Sequence, residues 1–167
     1  DDARVATLNG LWIDTAQQLV GIYGASEATR SRLASALGIE RARLDSIVML
    51  SAAATRTRKV RLGVICMASF PVRHPVLLAT QWASLDQLSK GRTILGVCIG
   101  GGHEGEMRAF GVQKNERVGR LVEGIKLLRE IWSEEELNHR GKYYRLEGYR
   151  IVPKPEQRPC PIWIAVS

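Results

Sequence analysis

Three short runs, VRLGVICM (residues 60–67), TILGVCI (93–99) and PIWIAV (161–166), are apolar almost without interruption and rich in β-branched residues. None alternates polar with apolar positions, the pattern of a strand with one wet face. They read as strands buried on both sides, which belong to parallel sheets whose crossovers are helices. The intervening segments supply those helices. Asp45–Arg58 has Asp45 or Ser46 as its N-cap and basic residues in its last turn. His74–Ser89 places Val76, Leu77, Leu78, Ala79, Trp82, Leu85 and Leu88 around a helix that stops near Lys90-Gly91. A third, longer helix is expected to bury Val118, Leu121, Val122, Ile125, Leu128 and Trp132 as one stripe.

Weaker signals fill in the remainder. Leu11–Asp14, after the turn pair Asn9-Gly10, reads as a short strand, and Ser26–Leu37 as a helix ended by Gly38. Pro71–Pro75 reads as a loop, and residues 138–152 as a hairpin around Gly141 and Gly148. Repeated strand-helix units of this kind form either a doubly wound sheet or part of a (β/α)8 barrel. The chain opens on Asp1-Asp2 instead of a strand and stops just after one, so both ends read as cut.

Composition narrows the function classes. With 167 residues, 45% hydrophobic and 25% charged, one globular domain over 1–167 is expected. No apolar run approaches the ~20 residues that span a bilayer and no signal-peptide pattern opens the chain, so a soluble cytoplasmic protein without membrane contact is expected. Cys66, Cys98 and Cys160 are odd in number and lack CxxC spacing, which favours reduced, buried thiols over disulfides or a zinc site. The net charge of +7 raises the question of nucleic acid, but 24 basic residues are interspersed with 17 acidic ones and no aromatic-interleaved stripe occurs. The densest cluster, Arg56, Arg58, Lys59 and Arg61, reads as a solvated helix end and the start of a strand. A nucleic-acid partner is therefore not expected, whereas a basic surface suits an anionic small ligand.

Gly100, Gly101 and Gly102 follow TILGVCI and precede a helix beginning near Glu104. In parallel β/α folds ligands gather at the carboxyl ends of strands, and glycine there lets backbone approach a flat ring or a phosphate. No Lys-Ser/Thr follows to make a P-loop, and the spacing Gly96-x-x-x-Gly100-Gly101-Gly102 is not a dinucleotide fingerprint. A tight turn and a ligand cradle both remain open on this signal.

The stretches RKVRLGVICMASFPVRHPVLLATQWASLDQLSKGRTILGVCIGGG, EMRAFGVQKNERVGRLVEGIKLLREIW and GKYYRLEGYRIVPKPEQRPCPIWIA resemble the bacterial luciferase-like monooxygenase superfamily, in unbroken order from about residue 45 to 167. The earlier part is similar only through GLWIDT, which resembles the second barrel strand. The resemblance implies a partial (β/α)8 barrel, about strands 2 to 5 with their helices, of the ~250 residues a whole barrel takes. It also implies coenzyme F420, with FMN as the alternative, and hydride transfer to or from a small organic substrate. Cys66 and Met67 match a bulge with a non-prolyl cis peptide behind the cofactor ring. Cys98 and Gly100–Gly102 match the next ligand-facing strand end. Flavin-using luciferases carry there an Arg for the FMN phosphate where this chain has Ile99, which removes a bidentate contact and favours the F420 branch. Asp14 matches an Asp that some F420 enzymes pair with a His, and here Thr15 follows instead. His103 and Glu104 are the candidate general acid or base. Ser167 matches a polar group directed at the phosphate. His74 is expected to start a helix, and Arg92, Phe110, Arg117, Arg120 and Glu123 to anchor helices and loops. A half barrel with open edges also suggests a homodimer, or a shortened noncatalytic binding protein that pairs with another subunit.

Overall fold

The computed structural model describes residues 45–64, 67–100 and 104–165. The expected strand at Leu11–Asp14 and helix at Ser26–Leu37 lie outside them. In chain order the described elements are α1 (Ser46–Arg56), β1 (Leu62–Gly63), β2 (Met67–Ala68), α2 (Ser69–Val72), α3 (Pro75–Ser89), β3 (Thr93–Cys98), α4 (Glu104–Ala109), a 3-10 turn (Lys114–Glu116), α5 (Arg117–Ser133), β4 (Leu137–Arg140), β5 (Arg145–Tyr149) and β6 (Ile162–Ile164).

Local chemistry explains the helix limits. The Asp45 carboxylate caps α1 by accepting from Ile47 N–H at 2.9 Å and Val48 N–H at 3.4 Å, and it also pairs with Arg73. His74 caps α3 through Nδ1, which accepts from Val76 N–H at 3.3 Å, and Pro75 follows where its missing N–H costs nothing. Lys90 and Gly91, at φ +57° and +70°, terminate α3 in the left-handed conformation. Arg92 then closes the far end of α1: its guanidinium donates to the carbonyls of Ala54, Thr57 and Val60 at 2.8–3.1 Å. The basic cluster Arg56, Arg58, Lys59 and Arg61 is exposed, as expected of a solvated helix end.

Strand β3 is shared by the whole parallel sheet, pairing with β1, β2 and β6, while β4 and β5 form a separate antiparallel hairpin. VRLGVICM is therefore two short pieces, not one strand. Leu62 N–H donates to the Arg92 carbonyl, whereas Leu95 N–H donates to the Pro161 carbonyl, so β1 lies on the edge of β3 opposite β6. Val97 is matched with both Met67 and Ile164, which places β2 on that same edge as β1. The pairs run Gly63 with Ile94 and then Met67 with Val97: four residues advance against three, so the register slips by one residue between them.

The core joins Ile47, Leu50 and Ala54 of α1, Leu62 of β1, Leu78, Trp82 and Leu85 of α3, Leu95 and Val97 of β3, and Leu121, Leu127, Leu128 and Ile131 of α5. On β3 it is the face of Leu95 and Val97 that meets the helices. Cys160 is buried beside the Thr93 hydroxyl, and burial pushes its thiol up to about 11, so it stays protonated and inert.

Four expectations need correction. Of the expected loop Pro71–Pro75, residues 71 and 72 belong to a helical turn, Ser69–Val72, which tolerates Pro71 because first-turn N–H groups have no intrahelical acceptor, while Arg73 and His74 stay non-helical. On α5, Val118 and Val122 are 59% and 64% exposed, and the buried face runs through Leu121, Gly124, Leu127, Leu128 and Ile131. The reason is Gly124, where a Cβ would lie 2.4 Å from the Phe70 ring: close approach of α2 rotates the packed face away from the two valines. The third correction concerns β6, whose Trp163 and Ile164 are 66% and 56% exposed rather than buried, since this strand pairs with β3 along one edge. Gly148, at φ +58°, sits within β5 and only Gly141 belongs to the hairpin turn.

Gly124→Val should lose about 2–3 kcal/mol, because a branched side chain must displace the Phe70 ring in a packed core. The urea midpoint reads it, and an unchanged midpoint would show that α2 yields freely.

Candidate functional site

The register of β2 on β3, Met67 with Val97 and Ala68 with Cys98, brings the carboxyl ends of the two strands level. Cys98 closes β3 and is buried, at 5% exposed. Two residues on, Gly100 adopts φ +75°, a conformation open to glycine and costly for other residues. Its carbonyl accepts from Arg117 Nη1 at 2.9 Å, and Arg117 Nε donates to the Lys114 carbonyl at 3.2 Å. Helix α4 opens at Glu104. Among the expected site residues, then, the backbone of Met67, Cys98, Gly100 and Glu104 is placed around these strand ends. Asp14, Cys66, Gly101, Gly102, His103 and Ser167 lie outside the described residues, as does the peptide expected to be cis. Ile99 is half-buried and packs against the apolar core.

A second group braces this end of the sheet. Tyr144, at the hairpin turn, is 5% exposed, and its hydroxyl donates to the Phe70 carbonyl at 3.3 Å, just after β2. The His74 ring meets the Tyr144 ring edge to face at 5.4 Å between centroids. Glu123 of α5 holds the turn: its carboxylate accepts from the N–H groups of Lys142 (3.0 Å), Tyr143 (3.1 Å) and Tyr144 (2.8 Å). Burial acts to raise the Glu123 pKa, but the N–H groups of Tyr144 and Tyr143, with His139 and Lys142, prevail and hold it below the ordinary carboxylate value. His139 is buried with Nδ1 2.8 Å from Glu130. Anchoring is thus the observed role of Arg92, Arg117 and Glu123, while Phe110 is 58% exposed.

Sequence reading missed Tyr144 and the Arg117–Gly100 bond. A tyrosine beside a glycine turn has no distinctive spacing, and Arg117 reads as one more basic residue on a helix. Among the described residues no His, Cys, Asp and Glu cluster has metal-binding geometry, and no helix is long and apolar enough to cross a membrane.

Parallel strands joined by helices, with close-approach backbone at the strand ends, define a β/α protein of the class that presents its loops at the carboxyl side of the sheet. Residues 25–167 match the family described as Luciferase-like monooxygenase, and the chain belongs to that family. It is 36% identical over 125 residues to an F420-dependent glucose-6-phosphate dehydrogenase of Amycolatopsis mediterranei, covering 73% of this chain and 37% of that protein. It is 40% identical over 89 residues to an FMNH(2)-dependent dimethylsulfone monooxygenase of Pseudomonas fluorescens, covering 52% of this chain and 24% of the relative. The crystal structure of monooxygenase RslO1 from Streptomyces bottropensis superposes with a TM-score of 0.65 at 33% identity, covering 72% of this chain and 36% of that one. The matches therefore span between about a quarter and little more than a third of the length of these relatives.

Proposed function

We propose that the chain is part of an F420-dependent oxidoreductase that moves a hydride between the deazaflavin and a small organic substrate, and that its strands belong to a (β/α)8 barrel. The barrel reading is supported by sequential parallel neighbours around β3 and by helices meeting the Leu95 and Val97 face. The observation that carries the site is the level register of β2 and β3, with Gly100 left-handed just beyond.

A flat cofactor fits what the described residues offer: a left-handed Gly100 that admits close backbone approach, and a neighbouring strand end level with it. Gly100 to Gly102 with the ends at Met67 and Cys98 would hold it. When bound, the group supplies the two-electron chemistry, and the protein supplies orientation and exclusion of water. Glu104, the first residue of α4, and His103 are the proton carriers in this reading. Apolar Ile99 and the 36% identity to an F420-dependent dehydrogenase favour F420, while the shorter match to an FMNH(2)-dependent monooxygenase keeps FMN as the second reading.

Fluorescence titration of the chain with F420 and separately with FMN tests this. Saturable quenching by F420 at lower concentration than FMN is expected. Preference for FMN overturns the argument from Ile99, and saturation by neither overturns the cofactor reading for this chain.

A further inference from the structure

We infer that Arg117 is a positioning residue for the cofactor loop, acting through the Gly100 carbonyl; this rests on the reading that the strand ends hold F420 or FMN. Arg117 is the first residue of α5, where the positive end of the helix dipole disfavours a cation by about 0.3–1 kcal/mol. Helix rules would place an acid there, and the first turn holds none. A residue that works against its own helix needs a compensating contact elsewhere, and here it is the pair of carbonyl bonds. Nη1 reaches Gly100, 17 residues back in the chain, while Nε stays on Lys114. A guanidinium can serve two carbonyls at once because its donors are splayed in one rigid plane.

The consequence for the loop follows from peptide geometry. Gly100 lies beyond the last strand residue, so the sheet ladder leaves its carbonyl without a partner, and its φ of +75° turns the chain out of the strand. Holding the Gly100 carbonyl toward α5 therefore fixes the Gly100 backbone just beyond the end of β3, where the cofactor lies in this reading. Helix α5 is a stiff place from which to do this, because Leu121, Leu127 and Leu128 seat it in the core.

Hydrogen exchange at the peptide covering residues 98–104 and F420 titration, on the full chain as wild type, Arg117→Met and Arg117→Lys, test the assignment. Arg117→Met, which loses the bonds to both the Gly100 and Lys114 carbonyls, should speed exchange locally and raise the F420 dissociation constant about tenfold. Arg117→Lys should fall between, since an ammonium reaches one carbonyl but not both in the same plane. This variant carries the test if the methionine variant does not fold. Unchanged exchange overturns the clamp. Faster exchange with unchanged F420 affinity reduces Arg117 to a structural role and overturns the positioning claim. If the wild type binds neither F420 nor FMN while exchange still rises on substitution, the cofactor reading has failed, and the positioning role fails with it although the clamp stands.

Discussion

Replacing Glu123 by alanine is expected to cost the chain about 3–4 kcal/mol, more than any other single change on α5, because one carboxylate satisfies three backbone N–H groups of the hairpin turn. Hydrogen bonds to a charged group are worth about 1.5–3 kcal/mol each, and three that share an acceptor give less than their sum. Alanine would also leave buried His139 with Glu130 as its remaining carboxylate neighbour. The effect should extend past the hairpin, since Tyr144 joins that turn to the Phe70 carbonyl and to the His74 ring beside β2. Urea unfolding reads the stability; an unchanged midpoint would mean that the turn docks without its carboxylate.

The same group makes a pH prediction. Its pKa is lowered in the folded state, so its contribution is fully present above the ordinary carboxylate value of 4.5 and is lost as pH falls below that through the folded value. Glu123→Gln should flatten this acid limb. A limb of undiminished slope in that variant would assign the acid sensitivity to other carboxylates.

The second large effect is expected at Asp86, which is fully buried near the end of α3. It accepts from the Thr93 hydroxyl at 2.6 Å, Gln157 N–H at 2.9 Å and Gln157 Nε2 at 2.8 Å, and Gln157 Nε2 also reaches the Thr93 carbonyl at 2.8 Å. These bonds tie α3, the start of β3 and the segment leading into β6 together. Asp86→Ala strands several buried donors at once and should lose about 3–5 kcal/mol. Asp86→Asn keeps one acceptor oxygen but turns an NH2 toward the other donors, so an intermediate loss is expected. Calorimetric unfolding of the two variants decides, and equal midpoints would show that the network contributes packing alone.

These two residues illustrate what the sequence could and could not convey. Asp86 lies within an otherwise helical pattern and reads as a solvated acid, because its partners Thr93 and Gln157 are 7 and 71 residues away. Glu123 likewise reads as an anchor without an object, since its partners are the N–H groups of a turn about 20 residues later. Backbone donors carry no side-chain identity, so no spacing rule can announce them. The stripe on α5 held at Leu121, Ile125, Leu128 and Trp132 but missed at Val118 and Val122 for a related reason: glycine adds nothing to an apolar pattern, yet Gly124 marks where Phe70 comes closest.

The sequence by itself determined the order of strands and helices, their caps at Asp45, His74 and Lys90-Gly91, and the position of the glycine turn after β3, because these depend on residues within a few positions of one another. Only the tertiary structure decided the register slip between β1 and β2, the helical turn at Phe70, the burial of Asp86 and the grip of Arg117 on Gly100. Each depends on groups far apart in the chain that meet only when the sheet and its helices close on a common core, where packing distance and unsatisfied hydrogen bonds outweigh local preference.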